Sequence, residues 1–134
     1  MKQFLILSFL LSAALSFGQK KEFDKKMIGC YKGSEVNQRV EGLSKYWVSC
    51  RMEKGKSILL FVALMPNGEV KQTTENGNWY TSNGKYYELH TYDNITDSYH
   101  YEVLENGDVK FKSIELMGKV TDTYEFTDYL ITED

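Results

Sequence analysis

The sequence predicts an all-β chain, an antiparallel up-and-down meander closing into an eight- or nine-stranded barrel. Three observations predict it. The stretch from Asn76 to Lys112 consists of short runs rich in Tyr, Trp, Val and Phe separated by turn clusters. Asn-Gly pairs recur at Asn67-Gly68, Asn76-Gly77, Asn83-Gly84 and Asn106-Gly107, and a two-residue Asn-Gly loop favours the type I′ turn whose twist suits antiparallel strands. Strands at this spacing, with no helical pattern between them, read as a barrel or a sandwich. Meander connections favour the barrel, because a sandwich usually needs Greek-key crossovers.

The chain has 134 residues. Lys2, an apolar run from Phe4 to Leu15 and then Ser16-Phe17-Gly18 form the pattern of a secretory signal peptide over residues 1–18, cleaved after Gly18. An uncleaved anchor is the alternative. The remaining residues, 19–134, are expected to form one domain, and none of their segments approaches the roughly 18 consecutive apolar residues of a spanning helix. The expected destination is the periplasm or the medium, and Gln19, rather than a cysteine, directly after Gly18 disfavours a lipoprotein.

The whole chain carries a formal charge of −3, and removal of Lys2 with the leader makes it −4. Charges of both signs are mixed along the sequence. Nucleic acid is an unsuited partner, since phosphate binding needs a concentrated basic face. The two cysteines, Cys30 and Cys50, fall in neighbouring predicted strands, and export exposes them to an oxidising compartment. A cross-strand disulfide is expected, with two free buried thiols as the alternative.

In order, Lys20 to Met27 reads as a charged segment with a helical turn leading into the first strand, Cys30 to Gln38. Arg39 to Lys45 is a loop, Tyr46 to Glu53 a second strand, and Lys54-Gly55-Lys56 a tight turn. Ile58 to Met65 is apolar throughout, the pattern of a strand covered on both faces. Strands are then expected over Glu69 to Glu75, Trp79 to Ser82, Lys85 to Tyr92, Ser98 to Leu104, Asp108 to Ile114 and Lys119 to Asp128. Gly29-Cys30-Tyr31, preceded by the short charged turn, resembles the Gly-x-Trp opening of the first strand in lipocalins and lipocalin-like proteins. Tyr31 stands where that family carries tryptophan, and the last strand offers no arginine to cover it. The resemblance implies a lipocalin-like barrel with an internal ligand cavity.

Register assigns the faces, because a one-residue slip exchanges them. With Asn106-Gly107 as a two-residue turn, Leu104 opposes Val109 and Glu102 opposes Phe111. With Met117-Gly118 equally tight, Phe111 opposes Tyr124 and Val109 opposes Phe126, so these four share the inner face. A five-residue loop from Asp93 to Asp97 sets His90 opposite His100, and Asn83-Gly84 puts Trp79 beside Glu88 and Thr81 beside Tyr86. On this register Trp79, Tyr86, Phe111, Tyr124 and Phe126 are the candidate ligand-binding residues of the interior. His90, His100, Glu88 and Glu102 converge as a candidate divalent-metal set, since imidazoles and carboxylates are ordinary ligands of zinc. An even-numbered loop or a bulge would instead send the polar set to solvent and bring Tyr87, Leu89, Tyr99, Tyr101 and Val103 into the core.

The leading expectation is an exported barrel that binds a small, partly apolar molecule. An envelope interaction protein with a filled barrel is the second reading. An enzyme using His90 or His100 ranks last, because no nucleophile elbow, zinc-protease motif or phosphate-binding glycine loop accompanies them. Asn94-Ile95-Thr96 matches the glycosylation pattern, which is silent in a bacterial export system of the kind this leader suggests.

Overall fold

The computed structural model describes residues 20–133. The expected signal peptide and its cleavage point lie outside the described residues. Nine strands follow one another: β1 (Gly29–Val36), β2 (Ser44–Arg51), β3 (Lys56–Leu64), β4 (Val70–Ser82), β5 (Lys85–His90), β6 (Ile95–Val103), β7 (Val109–Leu116), the short β8 (Lys119–Val120) and β9 (Glu125–Leu130). Each of β1 to β7 pairs antiparallel with the next, and β9 pairs with both β1 and β7. The result is a closed eight-stranded antiparallel meander barrel, with β8 an extra strand on the β7 side. This architecture is consistent with a lipocalin-like fold. No described helix is long and apolar enough to cross a membrane.

One end of the barrel is shut by the N-terminal segment. Glu22 exchanges two backbone hydrogen bonds of 2.8 Å with Thr81, and Asp24 caps a 3₁₀ turn at Lys25–Met27 through Lys26 N–H. This turn drives Met27 into the core, where it is wholly buried. Trp79 lies beside this plug, its indole N–H donating to the Met52 carbonyl at 2.9 Å and its ring meeting Phe23 edge-on. The opposite end carries the β1–β2, β3–β4, β5–β6 and β7–β8 connections.

The Asn-Gly pairs serve three purposes. Asn83-Gly84, with φ of 50° and 73°, forms the expected two-residue turn between paired Ser82 and Lys85. Asn67-Gly68 and Asn106-Gly107 instead finish three-residue loops: only the glycine has positive φ, and Leu104 N–H bonds the Asp108 carbonyl while Gly107 N–H bonds Leu104. That is a type I turn followed by a left-handed glycine. Asn76-Gly77 is no turn at all. It lies inside β4, which therefore runs unbroken over both segments expected as separate strands, with Gly77 approached by the Leu89 carbonyl where a Cβ would lie 2.6 Å away.

The longer loop at Asn106 corrects the register of β6 against β7. Val103 pairs with Val109 and Tyr101 with Phe111, so Glu102 faces Lys110 outside, not Phe111 inside. Met117-Gly118 is a two-residue turn as expected, between paired Leu116 and Lys119. Because β9 begins only after the irregular Thr121–Tyr124 segment, Phe111 pairs with Phe126 and Val109 with Asp128. The slip is two residues, which preserves the face. Val109 and Phe111 are buried, and Tyr124 and Phe126 pack against the same core.

Cys30 and Cys50 are direct partners across β1 and β2, with Cα atoms 4.0 Å apart, and form a disulfide. The expectation for β3 is corrected. Ser57, Leu59, Phe61 and Ala63 point inward, but Leu60, Val62 and Leu64 are 48%, 39% and 41% exposed on the outside. Tyr46 and Val70, their neighbours on β2 and β4, are exposed as well.

Candidate functional site

A cavity of about 120 Å³ sits inside the barrel between the N-terminal plug and the loop-bearing end. Its floor is built on Arg51, near the end of β2. The guanidinium donates from Nη1 to Asp128 Oδ2 at 2.9 Å and from Nε to the Met27 carbonyl at 3.1 Å. It also lies 4.2 Å from the centre of the Tyr31 ring, with Phe111 and Tyr86 at 5.4 and 5.5 Å. The other Asp128 oxygen accepts from the Trp47 indole N–H at 2.8 Å. Both ions of the pair are 2% exposed. A buried carboxylate is tolerated only when paired and hydrogen-bonded, and Asp128 meets both conditions. The first-strand aromatic is thus covered by an arginine after all, supplied by β2, while the last strand contributes its counter-ion.

Aromatic rings line the walls. Phe111 stacks on Phe126 with centroids 4.8 Å apart, Tyr86 lies 5.1 Å from Phe111, and Trp47 and Tyr99 meet Phe126 edge-on at 5.4 and 5.6 Å. Trp47 fits because its cross-strand partner is Gly33, where a Cβ would come within 2.4 Å of the indole. Leu59 and Phe61 of β3 complete the wall.

The mouth is polar. His90, at the end of β5, is held between two carboxylates, Nε2 to Asp97 Oδ2 at 2.9 Å and Nδ1 to Glu75 Oε2 at 3.1 Å. The hydrogen bond to Asp97 is the main reason its pKa rises from 6.5 to about 9; burial opposes the rise, and the charges of Glu88 and Asp97 and the hydrogen bond to Glu75 add to it. Lys45 pairs with Glu35 at 3.0 Å. Burial and the neighbouring Glu35 push the Tyr124 hydroxyl well above its ordinary value. Beyond the mouth the space continues into an outer vestibule of about 220 Å³ that also touches Arg39 and Tyr92.

Glu88 stands between floor and mouth on β5 and lines the cavity. Among the described residues its carboxylate makes no ion pair, and its one side-chain partner is the Tyr86 hydroxyl, which donates to Oε2 at 3.4 Å. Burial raises its pKa, and the positive charges of His90 and Arg51 offset that only in part.

Of the residues the sequence singles out, Tyr86, Phe111, Tyr124 and Phe126 line the cavity, and Trp79 lies beneath it at the closed end. The metal set does not assemble. The β5–β6 connection is a four-residue turn closed by Asn94 N–H on the His90 carbonyl, so His90 pairs with Ile95 and His100 with Lys85. Glu88 and His90 point inward, whereas His100 and Glu102 are exposed on the outer face. Among the described residues no group of three or more His, Cys, Asp or Glu is placed to hold a metal ion.

Sequence reasoning missed Trp47, Arg51 and Asp128, and it reached Tyr99 only through the even-numbered loop, which the four-residue β5–β6 turn realises. A signal existed for β2, where Trp47, Ser49 and Arg51 alternate on one face, but an inward arginine and serine disguise a core strand as a solvent-facing one. Comparison with known protein families, with curated proteins and with solved structures finds no match to this chain.

Proposed function

We propose that the chain is an exported, lipocalin-like binding protein that takes a small, partly apolar molecule into its barrel. The observation that carries this reading is the aromatic cavity of about 120 Å³, which continues into a vestibule at the end opposite the plug. Convergent polar groups on an otherwise apolar concavity are what orient a small ligand. The volume lies well below the roughly 300–1,000 Å³ of common ligand pockets, which favours a single-ring compound over a fatty acid or sterol. The disulfide agrees with export.

The test is a screen of single-ring compounds by NMR, following the side-chain signals of Tyr86, Phe111 and Phe126. Binding should perturb these and leave Val62 and Leu64 unmoved. A screen in which every perturbation maps to the outer face would overturn the proposal.

The envelope interaction protein is a second reading, and the exposed Tyr46, Leu60, Val62, Leu64 and Val70 favour it, since a contiguous apolar face of this kind is uncommon on a free monomer. Sedimentation of the wild type against Leu60→Lys/Val62→Lys checks self-contact. A monomer at every concentration in both would remove that form of the reading.

A further inference from the structure

We infer that the cavity is built for a small organic cation, an aromatic or alkyl ammonium, with the Glu88 carboxylate as its counter-ion and the surrounding rings as its box. The inference rests on the small-molecule reading above and deepens it. The argument begins from the charges that face the cavity. Arg51 is matched by Asp128, Lys45 by Glu35, and His90 by Asp97 and Glu75. Glu88 is the cavity-lining acid without a cationic partner among the described residues. A carboxylate removed from bulk water with only one long hydrogen bond is poorly compensated. A ligand ammonium beside it would supply the missing charge.

The walls favour the same chemistry. Ring faces carry the negative part of the aromatic quadrupole and attract cations, more strongly where water is excluded. Tyr86, Tyr99, Phe111, Phe126 and Trp47 form one chain of ring contacts and line the cavity together with this acid. An anionic ligand fares worse. Two of the three nitrogens of Arg51 are already engaged by Asp128 and Met27. The third, Nη2, makes no hydrogen bond among the described residues and is shut off from solvent, and the guanidinium lies close to the rings of Tyr31, Tyr86 and Phe111. A ligand carboxylate would also meet Glu88 itself. Size selects a single ring with a short arm or a compact alkylammonium.

The experiment titrates the full exported protein with three probes of one shape: phenethylammonium, 2-phenylethanol and phenylacetate. Calorimetry gives affinity, and NMR signals of Tyr86, Phe111 and Phe126 give location. The ammonium should bind about tenfold or more tightly than the alcohol, and phenylacetate should bind weakest. In Glu88→Gln the advantage of the ammonium over the alcohol should vanish. Equal binding of ammonium and alcohol by the wild type, or an ammonium preference that survives Glu88→Gln, overturns the cation assignment and leaves a small-molecule binder. Should none of the three probes perturb the cavity signals, the cation assignment falls together with the proposed function. The wild-type comparison decides the matter even where Glu88→Gln folds poorly.

Discussion

At the scale of single residues, the cavity floor depends on a charge pair that cannot be divided. Asp128→Ala would leave Arg51 charged and buried and deprive the Trp47 indole of its acceptor. Breaking such a pair costs about 3–5 kcal/mol, and denaturant melts of Asp128→Ala should show a loss of that order. Replacing Arg51 and Asp128 together by Met and Leu should cost less. Phe111→Ala removes a ring stacked on Phe126 and should cost about 3–5 kcal/mol, whereas Lys112→Ala on the opposite face should stay near zero. Similar losses for these two would contradict the observed facing of β7. His90 makes stability depend on pH with a definite sign. Its folded pKa, about 9, lies above its ordinary 6.5. Its contribution is therefore complete below about pH 6.5 and is lost as pH rises through 9. The raised pKa of Glu88 acts in the same direction. Melting temperature should fall between pH 7 and pH 9.5, and His90→Asn should flatten that fall. The inward Phe111, Phe126 and Tyr86 were legible in the sequence because strand alternation is strict. Arg51 and Asp128 were not, because a buried ion pair looks on paper like two solvated charges.

At the scale of elements, legibility turned on loop length. Three of the four Asn-Gly pairs mark a reversal, but Asn83-Gly84 spans two residues while Asn106-Gly107 closes a three-residue loop. A one-residue difference moved His100 and Glu102 out of the barrel and brought Tyr99 and Tyr101 in. An error of two residues on β9 left every face unchanged. Parity, rather than strand position, is what a sequence reading must capture. The disulfide ties β1 to β2 on the outside of the barrel. With its cysteines 20 positions apart in sequence, its removal should lower stability by about 3 kcal/mol by freeing the unfolded chain. Melts with and without reductant, and of a Cys30→Ala/Cys50→Ala chain, should agree on that loss.

At the scale of the whole molecule, a closed meander removes the open sheet edges through which β proteins aggregate. The barrel class was legible from strand spacing and turn chemistry alone. Its content was not, since a cavity is what remains after side chains from eight strands are placed. The proposed export is checked by intact mass, which should correspond to a chain beginning at Gln19 and two hydrogen atoms lighter than its reduced form. The N-terminal segment enters at Thr81, and the last strand leaves beside Cys30 and Asp108. Both ends of the described chain therefore emerge at the plugged end. A tether, fusion partner or surface joined to either end meets the barrel from below, and the mouth with His90, Lys45 and Tyr124 is turned outward. Polarity of attachment is thus built into the topology, and the barrel could be immobilised by either terminus while its opening stays free.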